Sequence, residues 1–306
     1  MGLMPYSYSA YSLSIASDIQ LPPLRVCEPG AADLTIKCRK IPQSPATVST
    51  KIYRAGLNAR FAQNGNDQVW LDWPPLISFM ALNGNELVVE TTQTDAELIS
   101  LFTLSEALGF ILFQKGYFLL HGSAVRIGDE GVVFLGEPGA GKSTTVAAFA
   151  KKGCRVISDD MVCIQLNETG PHLLIPAFPQ IKIWKNSVDG LQLQQEQMLP
   201  VREGIDKFSW QNSIEFEDKP LPLKHIVVLT PPNAGPDCVM NPVATSQIPV
   251  ALLQHFPLAD AILTGETLND YFGKSVAIAK STPLSYMSRP ANFTTLGTFV
   301  EHLIAT

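Results

Sequence analysis

Charge is scarce in this 306-residue chain, with Asp, Glu, Lys and Arg together making up 16% of it. The 22 basic residues are outnumbered by 28 acidic ones, giving a net charge of −6. No run of Lys and Arg supplies the basic face that a dedicated nucleic-acid binder needs, so no nucleic-acid partner is expected. Cysteine is sparse as well. The five present (Cys27, Cys38, Cys154, Cys163, Cys238) are an odd number, widely spaced and without a CxxC pair. That pattern argues against a disulfide framework and a zinc site, and for buried free thiols in a reducing, cytoplasmic setting.

The opening residues lack the charged start and apolar core of a signal peptide, and Tyr6 stands where a myristoylation signal has Ser or Thr. Long uncharged apolar runs are missing too. The most apolar stretch, Leu98–Leu120, carries Glu106, Gln114 and Lys115, which a membrane span rarely tolerates. A soluble protein with no membrane partner is expected. What is plentiful is hydrophobic residues, at 46%, enough for a sizeable core and one or two domains.

Residues 1–93 read as a β-rich domain. Short alternating runs at Tyr11–Ile15, Leu34–Lys37, Lys51–Tyr53, Ala59–Ala62, Gln68–Leu71 and Glu86–Val89 are separated by Pro- and Asn-Gly-containing turns. The rhythm turns helical at Thr94, with apolar residues from Leu98 to Leu112, Thr94 and Glu97 as a capping box and Gly116 as a stop. Residues 94–306 form the second expected domain. Strands at Tyr117–Leu120, Ser123–Ile127 and Val132–Leu135 lead to a helix at Ser143–Lys152 and a strand at Arg155–Ile157, a βαβ arrangement. Further strands are expected at Leu173–Ile175, Ile181–Trp184, Lys224–Leu229 and Leu284–Met287, with a loop at Pro231–Pro236. Helical patterns close the chain at Val250–His255, Leu268–Lys280 and Phe293–Ile304.

Between the Val132–Leu135 strand and the helix lies Gly136-Glu137-Pro138-Gly139-Ala140-Gly141-Lys142-Ser143, which fits GxxxxGK[ST] at every fixed position. Small residues let successive backbone N–H groups converge on phosphates, and the helix N-terminus that continues through Thr144 adds its dipole. Lys142 is placed to reach the β- and γ-phosphates, and the Ser143 hydroxyl to ligate magnesium. A bound ATP or GTP with magnesium is therefore expected. The next strand ends in Ser158-Asp159-Asp160. After a P-loop, a carboxylate there serves the metal as in a Walker B motif. A pair allows one to serve the metal and the other to act as base toward an acceptor hydroxyl. His121, before Gly122 at a strand junction, reads either as a satisfied structural histidine or as a site residue.

Leu120–Val125, Gly136–Ser143 and Ser158–Asp160 together resemble the catalytic domain of HPr kinase/phosphorylase and its bacterial relatives, some of which phosphorylate lasso-peptide precursors. The resemblance reaches weakly into Ser12–Leu24 and Pro283–Pro290. It implies an α/β P-loop kinase domain of the HPr-kinase/PEP-carboxykinase type, with the β-rich N-terminal domain and a helical C-terminal segment. It implies that Asp159 is the base toward a serine hydroxyl and that His121 lies near the reacting atoms; Asp160 is then the carboxylate expected to serve the metal with Ser143. The family is hexameric, so the resemblance carries an expectation of a homo-oligomer and of a peptide or protein acceptor. This chain has Pro138 where the family has Ser. It has no counterpart of the family's Glu near Pro179–Ile181, and Pro231-Pro232-Asn233 where the family has an Arg-bearing loop. Arg202 and Lys207, and more weakly Arg289, are then the candidate transition-state cations. The competing readings are a nucleotide-binding regulatory or assembly module and a small-molecule kinase.

Overall fold

The structure, a computed structural model, describes residues 6–42, 45–201, 204–211, 213–233, 240–290 and 292–305. It divides into two compact units, Met1–Leu119 with Phe256–Gly273 and Leu120–His255 with Lys274–Thr306. The division at Leu119 falls later than the one expected at residue 93, and the helical run beginning near Thr94 lies in the first unit.

The first unit is one nine-stranded sheet. Its strands are β1 (Tyr6–Ala10), β2 (Leu13–Ser17), β3 (Arg25–Val26), β4 (Leu34–Cys38), β5 (Val48–Arg54), β6 (Leu57–Asn64), β7 (Gln68–Trp73), β8 (Ile77–Leu82) and β9 (Glu86–Thr91). Their order across the sheet is β3-β1-β2-β4-β9-β8-β7-β6-β5. Tyr11, expected to begin a strand, instead joins Ser12 in the left-handed region, at φ 51 and 58, as the turn between β1 and β2. The strand β8 escapes sequence reading because four of its six residues are buried, which erases the alternation that marks a half-exposed strand.

Helix α1 (Ala96–Phe102) runs through a π-helical turn, Thr103–Ala107, into α2 (Leu108–Gln114). Its cap is Asp95, not the expected Thr94. The Asp95 carboxylate accepts the N–H groups of Glu97 and Leu98 at 2.9 and 3.3 Å, satisfying two donors that the first turn leaves open. The Ala96–Gln114 run is long and apolar enough to cross a membrane by length and composition, yet most of it is buried in the structure. Phe102 meets Trp73 edge-on with ring centroids 5.0 Å apart, and Glu106 is paired with Arg54 at 2.8 Å. It is a core helix of this unit. Tyr271, from the returning segment, stacks on Phe118 at 4.4 Å and accepts the Leu119 N–H at 3.0 Å.

The second unit is α/β. It contains β10 (Phe118–Ile127), β11 (Glu130–Leu135), α3 (Lys142–Lys151), β12 (Val156–Ser158), β13 (Met161–Gln165), β14 (Leu173–Ile175), β15 (Ile181–Trp184) and α4 (Lys185–Gly190). There follow β16 (Met198–Pro200), β17 (Lys207–Trp210), β18 (Leu221–Asn233), β19 (Met240–Pro242), α5 (Ile248–Leu253), the second half of α6 (Gly265–Ser281), whose residues to Gly273 belong to the first unit, β20 (Leu284–Pro290) and α7 (Phe293–Ala305). At the centre of its larger sheet, β18 pairs in parallel with both β11 and β20. A smaller sheet has the order β15-β17-β16.

Two expected strands before the P-loop are one, β10, because Gly122 passes through the sheet without breaking it. A side chain there would stand 2.9 Å from the Phe134 carbonyl oxygen, so only glycine permits this pairing with β11. The expected loop at Pro231 is the end of β18, which runs to Asn233; residues 234–236 lie outside the described ones. The described cysteines are free thiols, but only Cys163 is buried and Cys38 is exposed; Cys238 lies outside the described residues.

Candidate functional site

Strand β11 is buried from Gly131 to Leu135 and delivers the chain into the glycine-rich loop at its carboxyl end, where ligands of open parallel sheets bind. Gly136, Gly139 and Gly141 all have positive φ, at 143, 86 and 96°. Gly136 is doubly constrained, because a Cβ there would lie 2.6 Å from the Leu229 carbonyl oxygen of neighbouring β18. The loop closes on itself as the Ala140 N–H donates to the Glu137 carbonyl at 3.0 Å. Helix α3 begins at Lys142 behind the left-handed Gly141, with no side chain accepting its first N–H groups.

Lys142 is buried, and its ammonium donates to the Gly136 and Glu137 carbonyls at 2.7 and 3.3 Å. Burial lowers its pKa, against the opposing charges of Asp160, Asp159 and Glu137. A buried cation beside a glycine-rich loop and a helix N-terminus has the chemistry that suits a polyanion. Pro138, Gly139 and Gly141–Thr144 line a cavity of about 990 Å3. Gly136, Glu137 and Ala140 shape the loop.

The carboxylates of Ser158-Asp159-Asp160 are held differently. One Asp159 oxygen accepts both the Ser123 hydroxyl at 2.6 Å and the Ser143 hydroxyl at 2.9 Å, and the other accepts the Lys182 N–H at 2.8 Å. Asp160 takes a left-handed backbone conformation at φ 66, which turns its side chain to the cavity, where it pairs with the Lys182 ammonium at 3.0 Å. Burial and the adjacent Asp160 charge raise Asp159, opposed by the bonds from Ser123 and the Lys182 N–H. Burial alone would raise Asp160 too. The Lys182 charge, with Lys207 and His121 behind it, outweighs burial and holds that carboxyl well below the usual range.

His121 is half-buried on β10 and lines the same cavity. Its N–H donates to the His255 carbonyl at 2.7 Å. Burial, then the Lys142 charge, pushes His255 down to about 4, so that ring is neutral at pH 7. The structure therefore brings together His121, the P-loop, Asp159 and Asp160. It sets Asp159, rather than Asp160, against Ser143.

Of the expected cations, Lys207 lines the cavity from β17 and stands 5.6 Å over the Trp184 ring. Arg202 lies outside the described residues, and so does the side chain of Arg289. The residue that sequence reading missed is Lys182. It stands in the very segment, Pro179-Gln180-Ile181-Lys182, from which the family's Glu is absent, and no motif marks it. Among the described residues no three His, Cys, Asp or Glu side chains cluster as metal ligands. A magnesium ion here would rest on Ser143 and Asp159 together with phosphate oxygens, which is the usual sparse protein ligation of this ion. A divalent cation also suits two adjacent, half-buried carboxylates, whose charges repel each other.

No family model matches the chain. Over 62 residues it is 37% identical to HPr kinase/phosphorylase of an Exiguobacterium species, a stretch covering 20% of this chain and 19% of that protein. The match thus spans about a fifth of the length of this curated relative. A solved structure of the Hpr(Ser) kinase/phosphatase from Coxiella burnetii overlays 61% of this chain and 93% of its own, with 12% identity and a TM-score of 0.33. That overlay is too loose to speak to the fold. The resemblance to HPr-kinase-like proteins rests on the sequence match.

Proposed function

We propose that this chain is an ATP- and magnesium-dependent kinase that transfers the γ-phosphoryl group to a hydroxyl, of serine type, on a peptide or protein acceptor. The observation that carries the reading is the Ser143–Asp159 hydrogen bond beside the Lys182–Asp160 ion pair, with Ser143, Asp160 and Lys182 all lining the P-loop cavity. Bound ATP and magnesium supply the phosphoryl group and neutralise charge on the phosphates.

The protein groups divide the remaining tasks. P-loop N–H groups and Lys142 bind and orient the phosphates. Asp159 holds the Ser143 hydroxyl, so these two groups serve the metal. Asp160, facing the cavity, receives the acceptor hydroxyl and takes its proton. This reverses the division that the resemblance implies for the pair. A low pKa suits Asp160, because in a loose phosphoryl-transfer transition state the base chiefly positions the nucleophile. Lys182 keeps Asp160 ionised and supplies the positive charge that the Arg-bearing loop gives the resembled family. The short curated match to HPr kinase/phosphorylase supports the kinase class.

The test is incubation of the protein with radiolabelled ATP, magnesium and a broad panel of serine-containing peptides. Label should pass to at least one peptide with the wild type, and transfer should drop at least about a hundredfold with Asp160→Asn. Nucleotide binding without acceptor-dependent transfer to any peptide would instead favour a regulatory module.

A further inference from the structure

The cavity extends past the residues assigned above, to Trp184. This residue is 54% exposed, whereas Trp70, Trp73 and Trp210 are all buried. An open tryptophan at a cavity wall leaves a large apolar ring in water. Lys207 stands over the ring, 5.6 Å from its centroid, and Trp184 as a whole stays exposed. The combination is an aromatic face with a cation beside it, the arrangement that proteins use to stack nucleic-acid bases.

Its position relative to the P-loop says which part of a ligand it meets. Lys182 and Trp184 share one face of β15, two residues and therefore roughly 7 Å apart. Lys182 is at the transfer end, on Asp160. Trp184 is the N-cap of α4, and α4 is tied to the first turn of α3 by the buried Thr144–Ser187 hydroxyl pair at 2.8 Å. In a P-loop the Lys side chain reaches the β- and γ-phosphates while the loop and helix N-terminus cradle the α- and β-phosphates. The phosphate chain thus runs from Asp160 toward the turn that holds α4.

We infer that Trp184, with Lys207 over its ring, is the stacking platform for the purine base of the nucleotide. This rests on the P-loop cavity being a nucleotide site. Stacking alone does not select the base, because every purine presents a π-face.

The experiment compares magnesium-ATP, magnesium-GTP and inorganic tripolyphosphate by calorimetry on the wild type, Trp184→Ala and Trp184→Phe. In the wild type both nucleotides should bind more tightly than tripolyphosphate. W184A should weaken both by about five- to a hundredfold and change tripolyphosphate less than twofold. W184F, which keeps a ring, should retain most of the affinity while abolishing the nucleotide-induced quenching of tryptophan fluorescence. The inference is overturned if W184A weakens tripolyphosphate as much as ATP. It is equally overturned if W184A leaves nucleotide binding unchanged and raises only the KM for the acceptor, which would assign the ring to the acceptor. Failure of the nucleotide reading itself has a separate signature, in which neither ATP nor tripolyphosphate binds and Lys142→Met changes nothing.

Discussion

Replacing Lys182 with Met keeps most of the side chain's volume and deletes the charge that faces Asp160. Two unit charges 3.0 Å apart, as in this pair, attract by about 1.4 kcal/mol in water and about 5.5 kcal/mol at an effective dielectric of about 20. Asp160 keeps 40% of its side chain exposed and Lys182 14%, so solvent screening pulls the value toward the lower end, about 1–3 kcal/mol. The wild type should exceed K182M in unfolding free energy by that amount at pH 7, measured by urea titration of both proteins. The pH dependence is the sharper part. Asp160 is depressed in the folded protein, so its contribution is full above the unfolded value of about 3.9 and is lost as pH falls toward the lower folded value. The gap between the two proteins should therefore hold from pH 7 to pH 5 and shrink by about 1 kcal/mol by pH 3. Equal stability at pH 7, or a gap that stays constant from pH 5 to pH 3, would refute the assignment of this pair as the element that keeps Asp160 ionised.

Gly136→Ala should cost at least about 1–3 kcal/mol of stability and abolish ATP binding, because the added methyl meets the Leu229 carbonyl and the φ of 143° is closed to it; thermal melts with and without ATP check both effects. Asp159→Asn cannot accept from Ser123, Ser143 and the Lys182 N–H all at once. It should weaken magnesium binding in the nucleotide complex about 10- to 100-fold, read by calorimetry at several magnesium concentrations, with metal-free ATP binding little changed. Asp95→Ala removes the cap of α1 and should cost about 1 kcal/mol in urea unfolding, with no effect on nucleotide affinity.

The loop at Gly136–Ser143 and the strand ahead of it were legible because their pattern is local. Three glycines in eight consecutive residues mark a tight turn, and the apolar run Val132–Leu135 gives the strand before it. The strands Leu173–Ile175 and Ile181–Trp184 appear with the bounds their apolar patterns imply. The cavity wall that β15 contributes was not legible. Lys182 and Trp184 lie on an ordinary-looking strand, and their meaning comes from β15 passing across Asp159 and Asp160, a non-local fact. The different partners of Asp159 and Asp160 likewise depend on one left-handed backbone angle at Asp160 that no spacing reveals. In the first unit, β8 was hidden by its burial, and the break of the Ala96–Gln114 run into α1, a π turn and α2 leaves no mark in the apolar rhythm.

The most direct test of the phosphoryl-transfer account is peptide mass spectrometry after incubation of the chain with ATP, magnesium and a serine-containing peptide library. Wild type should yield peptides phosphorylated on a hydroxyl, K142M and D160N should yield essentially none, and both variants should show wild-type circular dichroism. Phosphopeptides formed equally by D160N, or nucleotide turnover by the wild type with no phosphate on any acceptor, would contradict it.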